Sequence, residues 1–292
     1  MEDFKTYLEE KEYSVNTIKQ YYTNMKKYFD NYGDPTDKSQ KEIIENIENI
    51  KLYDSRNKKE VPSINGRTQL IKSIISFLKY KNKPFDKISS LFTDINKQAS
   101  IDAKLRNEKL SEKLMGFKEY NDKVNELYET NEPEKLRQFV INKLLIMSNC
   151  RNADLVCKII TSKEEYNDMD TDKNYLYVDE VGDVYFIRNL YKTASTYGNK
   201  VTKIKSKKMT IAIRILKLYT TEYDDYSLIP PEYHSPSDKL SRYIKKMTFD
   251  LGEVNILKIM LRENNTLSKA KKISENRGTS LDTLQENYNL VQ

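Results

Sequence analysis

Glycine and proline number only 7 each in 292 residues. That scarcity constrains the fold more than any motif, because an all-β domain needs a turn former every few residues and a helical one does not. A mainly α chain is therefore expected. At this length two domains are possible, each with its own core. Apolar residues make up 38% of the chain and charged residues 32%, which describes a globular protein with a heavily charged surface.

Helical periodicity organises the N-terminal part. In SVNTIKQYYTNMKKYF, Ser14 is an N-cap candidate, and Ile18, Tyr21, Tyr22, Met25, Tyr28 and Phe29 recur at helical spacing. NGRTQLIKSIISFLKYK puts Leu70, Ile71, Ile74, Ile75, Phe77 and Leu78 on one buried side. Loops are expected at YGDPTD and DSRNKKEVPS. Residues 1–98 thus read as a helical domain, and 99–115, poor in bulky apolar residues, as an extended or helical linker.

A second domain is expected over 116–292. Pro133 opens a strong helix, PEKLRQFVINKLLIMSN, that reads on into CRNADLVCKII. The one convincing β region is NYLYVDEVGDVYFIRNLYKTASTYGNKVTKIKS. Its alternating apolar residues, with turn candidates at Glu180 to Asp183 and Tyr197 to Asn199, predict a small antiparallel β-meander. TIAIRILKLYTTEY is expected to be helical, IPPEYHSPSD a loop, and the remainder helical to the end.

Formal net charge is +6, with a pI near 8.9, which suits a polyanionic partner without naming one. The distribution says more. From Ile187 to Leu218 there are nine Lys or Arg and no Asp or Glu. Such a block is what a phosphate-backbone footprint requires, although a solvated basic face would look the same. Lys200, Lys203, Lys205, Lys207 and Lys208 lie on and after the expected third strand, and alternation directs Lys203 and Lys205 to one face. Lys19, Lys26, Lys27, Arg67 and Lys72 add positive charge to the N-terminal domain.

The two cysteines, Cys150 and Cys157, fall on what reads as one helix, roughly 10 Å apart. That is too far for a bridge, so both are expected to be reduced core residues of an intracellular protein. A single histidine, His234, in a Pro-rich loop gives no zinc-ligand pattern. No apolar run approaches the roughly 20 residues that span a bilayer, and the acidic N-terminus does not read as a signal peptide.

Three chemistry-bearing elements stand in order along the second domain. Arg151, in CRNADL, offers a planar fork for two phosphate oxygens; Lys192, in YKTASTYG on the meander, offers a proton to a leaving oxygen; Tyr288, near the C-terminus, offers a nucleophile. Together they resemble the tyrosine recombinase (phage-type integrase) family, in particular the variant carried by large DNA viruses and related mobile elements. The resemblance covers nearly the whole chain. The core-binding pattern S-x-x-T-x-x-x-Y is matched by Ser14, Thr17 and Tyr21. CRNADL resembles the first-arginine motif, with Asp154 bracing Arg151, and RGTSLDTLQENY resembles the ending G-H-S-x-x-x-T-x-x-x-Y.

Two departures from the family pattern matter. Its H-x-x-R motif aligns by spacing with Asn255-Ile-Leu-Lys258, so a lysine replaces the second arginine; the alternative alignment ends on Arg262. Thr279 stands where the family has His or Trp. Lys258 keeps a positive charge but loses the bidentate fork, and removing one well-placed donor costs roughly 10²- to 10³-fold in rate.

The resemblance implies an N-terminal core-binding domain and a C-terminal catalytic domain forming a clamp around double-stranded DNA. It implies attack by Tyr288 on the scissile phosphate, with Arg151 and either Lys258 or Arg262 stabilising the charge and Lys192 protonating the 5′ oxygen. Bond energy is conserved in the 3′-phosphotyrosyl link, so no metal or nucleotide cofactor is expected. Self-association on DNA, from dimer to tetramer, no membrane partner, and a location at DNA, in a nucleus, viral factory or virion, follow from the same likeness. Two alternatives stand beside it: a DNA-binding, nucleocapsid or packaging protein that keeps the fold with an eroded catalytic centre, and a type IB topoisomerase, which uses similar chemistry on one strand. The two-domain layout and the RNADL and YKTASTYG segments favour the recombinase.

Overall fold

A computed structural model of the chain describes residues 1–50, 53–54, 59–60, 64–220, 226–263 and 266–288. The chain divides into two compact units, Met1–Ala103 and Lys104–Gln292. The first is built from α1 (Glu2–Glu10), α2 (Val15–Tyr32), α3 (Gln40–Asn49), a minimal antiparallel pair β1 (Tyr53–Asp54) and β2 (Lys59–Glu60), α4 (Ile64–Tyr80) and the first part of α5 (Asp86–Ser111). Ser14 caps α2 as expected, accepting the Thr17 amide at 3.3 Å. α2 packs on α4 through Met25, Tyr28, Ile74 and Phe77, and Phe4 of α1 meets Phe77 edge to face at 5.1 Å.

The expected linker at 99–115 is taken up as far as Ser111 by α5, the helical form of the two allowed. The loop expected at 54–63 includes β2, and its other residues beyond Asp54 lie outside those described.

The second unit contains α6 (Phe117–Glu129), α7 (Pro133–Ser148), β3 (Cys157–Ile160), α8 (Lys163–Asn167), β4 (Asn174–Val178), β5 (Val184–Arg188), α9 (Ala194–Tyr197), β6 (Lys200–Ile204), α10 (Lys207–Tyr219), α11 (Ser237–Met247), α12 (Gly252–Glu263), α13 (Leu267–Arg277) and α14 (Leu281–Tyr288). The four strands pair in the order β3-β4-β5-β6. The antiparallel expectation holds for β4, β5 and β6 but not for β3, which runs parallel to β4 after a crossover through α8, so the sheet is mixed. One sheet face, with Leu176, Val178, Val184, Phe186 and Ile204, joins α7 and α10 in the main core. The other carries Tyr175, Tyr177, Ile187 and, partly buried, Tyr185.

The helix expected to run through CRNADLVCKII does not. α7 stops at Ser148 because Asn149 takes a left-handed conformation, φ 53°, which is a helix C-cap; a single 3-10 turn over Asn152–Leu155 and then β3 follow. The apolar, β-branched run in VCKII prefers a strand buried on both faces. Cys150 and Cys157 therefore lie on different elements; both are buried and free. Burial pushes the Cys150 thiol up to about 12 and raises Cys157 as well, so neither is a thiolate at neutral pH.

Candidate active site

Helix α13 ends against the sheet, and its last carbonyls each accept a hydrogen bond from a different side chain. Lys200 Nζ donates to the Glu275 carbonyl, and Arg188 Nη2 to that of Asn276 at 2.7 Å. Arg151 Nη1 donates to the Arg277 carbonyl at 3.1 Å, and Thr193 Oγ1 to that of Gly278 at 2.6 Å. Carbonyls at a helix C-terminus carry the negative end of the helix dipole, which is why three cations gather here. Gly278 makes the approach possible. It sits at φ +63°, and a Cβ there would lie 2.7 Å from the Tyr191 ring and 3.0 Å from Thr193 Oγ1.

Strand parity brings two of these cations inward. Arg188 shares its side of β5 with Val184 and Phe186; Lys200 shares its side of β6 with Thr202 and Ile204 and is the register partner of Arg188. Arg188 is only 1% exposed, and its Nη1 reaches Asp154 Oδ2 at 3.4 Å. Asp154 also accepts the Arg151 amide at 3.0 Å. Burial pushes the Asp154 carboxyl up, against the pull of that amide and of Arg188. Burial, helped by the charge of Arg188, lowers the proton affinity of Lys200.

A second ion pair ties the same elements together. Glu253, at the start of α12, pairs with Arg277 and accepts the Asn152 amide at 2.5 Å. Arg277 in turn donates to the Asn149 and Cys150 carbonyls at 3.1 and 3.3 Å. The segment that presents Arg151 is thus clasped to the end of α13 in both directions. Neither Arg188, Glu253, Thr193 nor Arg277 is singled out by the motifs. Parity with Phe186 marks Arg188 as inward, whereas nothing local marks Arg277 or Glu253.

The remaining candidate residues are distributed unevenly around this centre. Thr279 follows the cluster directly, half-buried, with its carbonyl accepting Ser274 Oγ at 2.6 Å. Lys258 is buried on α12, a helix that packs against α14, and desolvation holds its proton affinity below that of an ordinary lysine. Asn255 turns back along its own helix, donating to the Leu251 carbonyl at 2.9 Å. Arg262 is drawn away from the centre: its Nη2 donates to the Leu114 and Met115 carbonyls at 3.2 and 2.6 Å. Lys192 is not on a strand as expected but in the exposed connection between β5 and α9. Tyr288 is the last residue of α14; its side chain, and the tail Asn289 to Gln292, lie outside the described residues.

The basic block does not form one face. Lys200 points inward, while Lys203 is outward, pairs with Asp183 at 2.6 Å and lies over the Tyr185 ring at 5.2 Å. Lys207 and Lys208 belong to the first turn of α10 rather than to a strand, and Lys208 pairs with Glu129 at 2.6 Å. Lys205 and Lys207 are exposed. In the first unit Lys19 is exposed on α2; Lys72 is exposed on α4 and lies over the Phe92 ring at 5.6 Å; Arg67 donates to the Glu48 carbonyl at 3.0 Å.

No protein-family model matches the chain, and no curated protein matches its sequence.

Proposed function

We propose that the chain is a site-specific DNA recombinase, which breaks and rejoins double-stranded DNA through a 3′-phosphotyrosyl intermediate. The observation that carries this reading is the convergence of Arg151 and Lys200 on one helix end, from which the chain runs directly through Thr279 to Tyr288. A phosphodiester needs such a set: cations for its oxygens, a proton donor and a nucleophile on a nearby element.

In this mechanism the Tyr288 oxygen forms a bond to phosphorus as the bond from phosphorus to the 5′ oxygen breaks. Arg151 and Lys258 offset the growing negative charge. Arg262, committed to the carbonyls at 114 and 115, is the weaker candidate for that role. The departing oxygen takes a proton from a lysine, and Lys200, with its lowered proton affinity, is better suited than the exposed Lys192. Attack by a 5′ hydroxyl of the partner duplex reverses the step and releases Tyr288. The protein would act at DNA inside the cell or virion, self-associating on its substrate as a dimer to tetramer.

One observation favours a second reading. Neither of the two H-x-x-R alignments presents a free arginine fork, since one ends on buried Lys258 and the other on anchored Arg262. A DNA-binding or packaging protein with an eroded centre would look the same. The test is to incubate wild type and Tyr288→Phe with nicked duplexes and seek SDS-resistant protein–DNA adducts. A tyrosine-dependent adduct supports the recombinase, and salt-sensitive binding without any adduct supports the eroded protein. Relaxation of supercoiled plasmid without sequence preference would instead indicate a type IB topoisomerase.

A further inference from the structure

Three cations that would suit phosphate oxygens are bonded to backbone oxygens of this same chain. Lys200, Arg188 and Arg151 take the consecutive carbonyls of Glu275, Asn276 and Arg277, one cation to each oxygen. Those oxygens belong to a helix end, equivalent to roughly half a negative charge, whereas a phosphodiester carries a full one. The hydrogen bonding around them is also incomplete. Among the described residues, five buried side-chain atoms lack a partner, and three of them belong to this cluster: Asn152 Oδ1, Asp154 Oδ1 and Arg188 Nε. Arg188 and Asp154 are each 1% exposed, so these unmade bonds are expensive ones.

We propose that the C-terminal turn of α13 is an internal stand-in for phosphate, and that Arg151, Arg188 and Lys200 become a phosphate-oxygen site when that turn withdraws. The proposal deepens the recombinase reading and rests on it in naming the scissile phosphodiester as the occupant. The resting protein is then closed to its substrate, and DNA and the end of α13 compete for the same donors. Thr193 is a latch rather than part of the anion site. It is uncharged, so it adds little attraction for phosphate, yet it supplies one whole hydrogen bond to the docked turn. Gly278 lets the turn dock closely, and withdrawal would move Thr279 and α14 with it, coupling substrate entry to placement of Tyr288.

The competition has an unusual signature in hydrogen exchange on the full chain. The Gly278 and Thr279 amides are held by the Glu275 and Ser274 carbonyls at 3.2 and 3.1 Å, within the docked turn. Ligand binding ordinarily slows exchange near a site. Here nicked duplex DNA, or tungstate as a bare tetrahedral oxyanion, should make these two amides exchange about tenfold faster or more. Thr193→Val should bind either probe roughly two- to tenfold more tightly, because only the closed state loses a bond. Arg151→Gln and Lys200→Gln should each bind more weakly.

Slower or unchanged exchange at these amides on binding would overturn the proposal, as would Thr193→Val binding no more tightly than wild type. If tungstate loosens the turn but DNA does not bind, the stand-in survives and the recombinase reading falls. If neither probe binds wild type or Thr193→Val, the α13 contacts are packing alone and the proposal is wrong.

Discussion

The two faces of β6 use the same residue type in opposite ways. Lys200, on the inner face, donates to a backbone carbonyl at the end of α13, and burial lowers its proton affinity. Lys203, three residues on and on the outer face, pairs with Asp183 above a tyrosine ring, and those hydrogen bonds raise its proton affinity. A surface lysine can be exchanged at little consequence, because water replaces whatever it loses. An inward cation that holds a helix end cannot, because its removal gives up a contact between elements far apart in the chain. The chemistry is therefore expected on the inner side, and sequence-independent attraction to a polyanion on the outer.

The largest effect should come from breaking the buried clasp. Arg277→Met leaves Glu253 unpaired and should lower unfolding free energy by about 3 to 5 kcal/mol in urea titrations. The double variant Arg277→Met/Glu253→Gln should recover part of that loss. No recovery would show that Arg277 matters through its bonds to the Asn149 and Cys150 carbonyls rather than through Glu253.

Next in size, Lys258→Ala should reduce adduct yield on nicked duplexes by roughly 10²- to 10³-fold, and Arg262→Ala only a few-fold. The reverse order would place the second cation on Arg262. In the same assay Lys200→Ala should be more damaging than Lys192→Ala, which distinguishes the inner from the exposed lysine as proton donor.

A pH series sharpens the contrast further. Desolvation depresses Lys258, so cleavage should decline on the alkaline side earlier than an ordinary lysine would titrate, and Lys258→Arg should remove that decline. Stability moves in the other direction. Between the depressed value and the ordinary lysine range, the unfolded chain binds more protons than the native one, so wild-type stability rises with pH there. Lys258→Met should flatten that rise in thermal melts. A parallel pH dependence in wild type and Lys258→Met would contradict it.

The smallest effects belong to the outer face. Replacing Lys205 and Lys207 together should lessen the salt dependence of DNA binding by about two phosphate contacts at most. Lys203→Ala should leave both stability and affinity close to wild type. A collapse of binding in Lys203→Ala would mean that the outer face, not the inner, holds the main footprint.

The sequence alone determined what depends on neighbours in the chain. Sparse glycine and proline together with apolar periodicity pointed to a mainly helical protein; Ser14 marked the start of α2 and Pro133 that of α7. Tertiary structure decided what depends on distant partners. A left-handed Asn149 ended α7 where the hydrophobic pattern ran on, and a parallel pairing with β4 turned the following segment into a strand. Only packing could bring Arg151, Arg188 and Lys200 to the end of α13, or commit Arg262 to carbonyls at 114 and 115. Local residues set a segment's conformational preference, but a buried polar group takes its role from whichever partner, however remote in sequence, satisfies it.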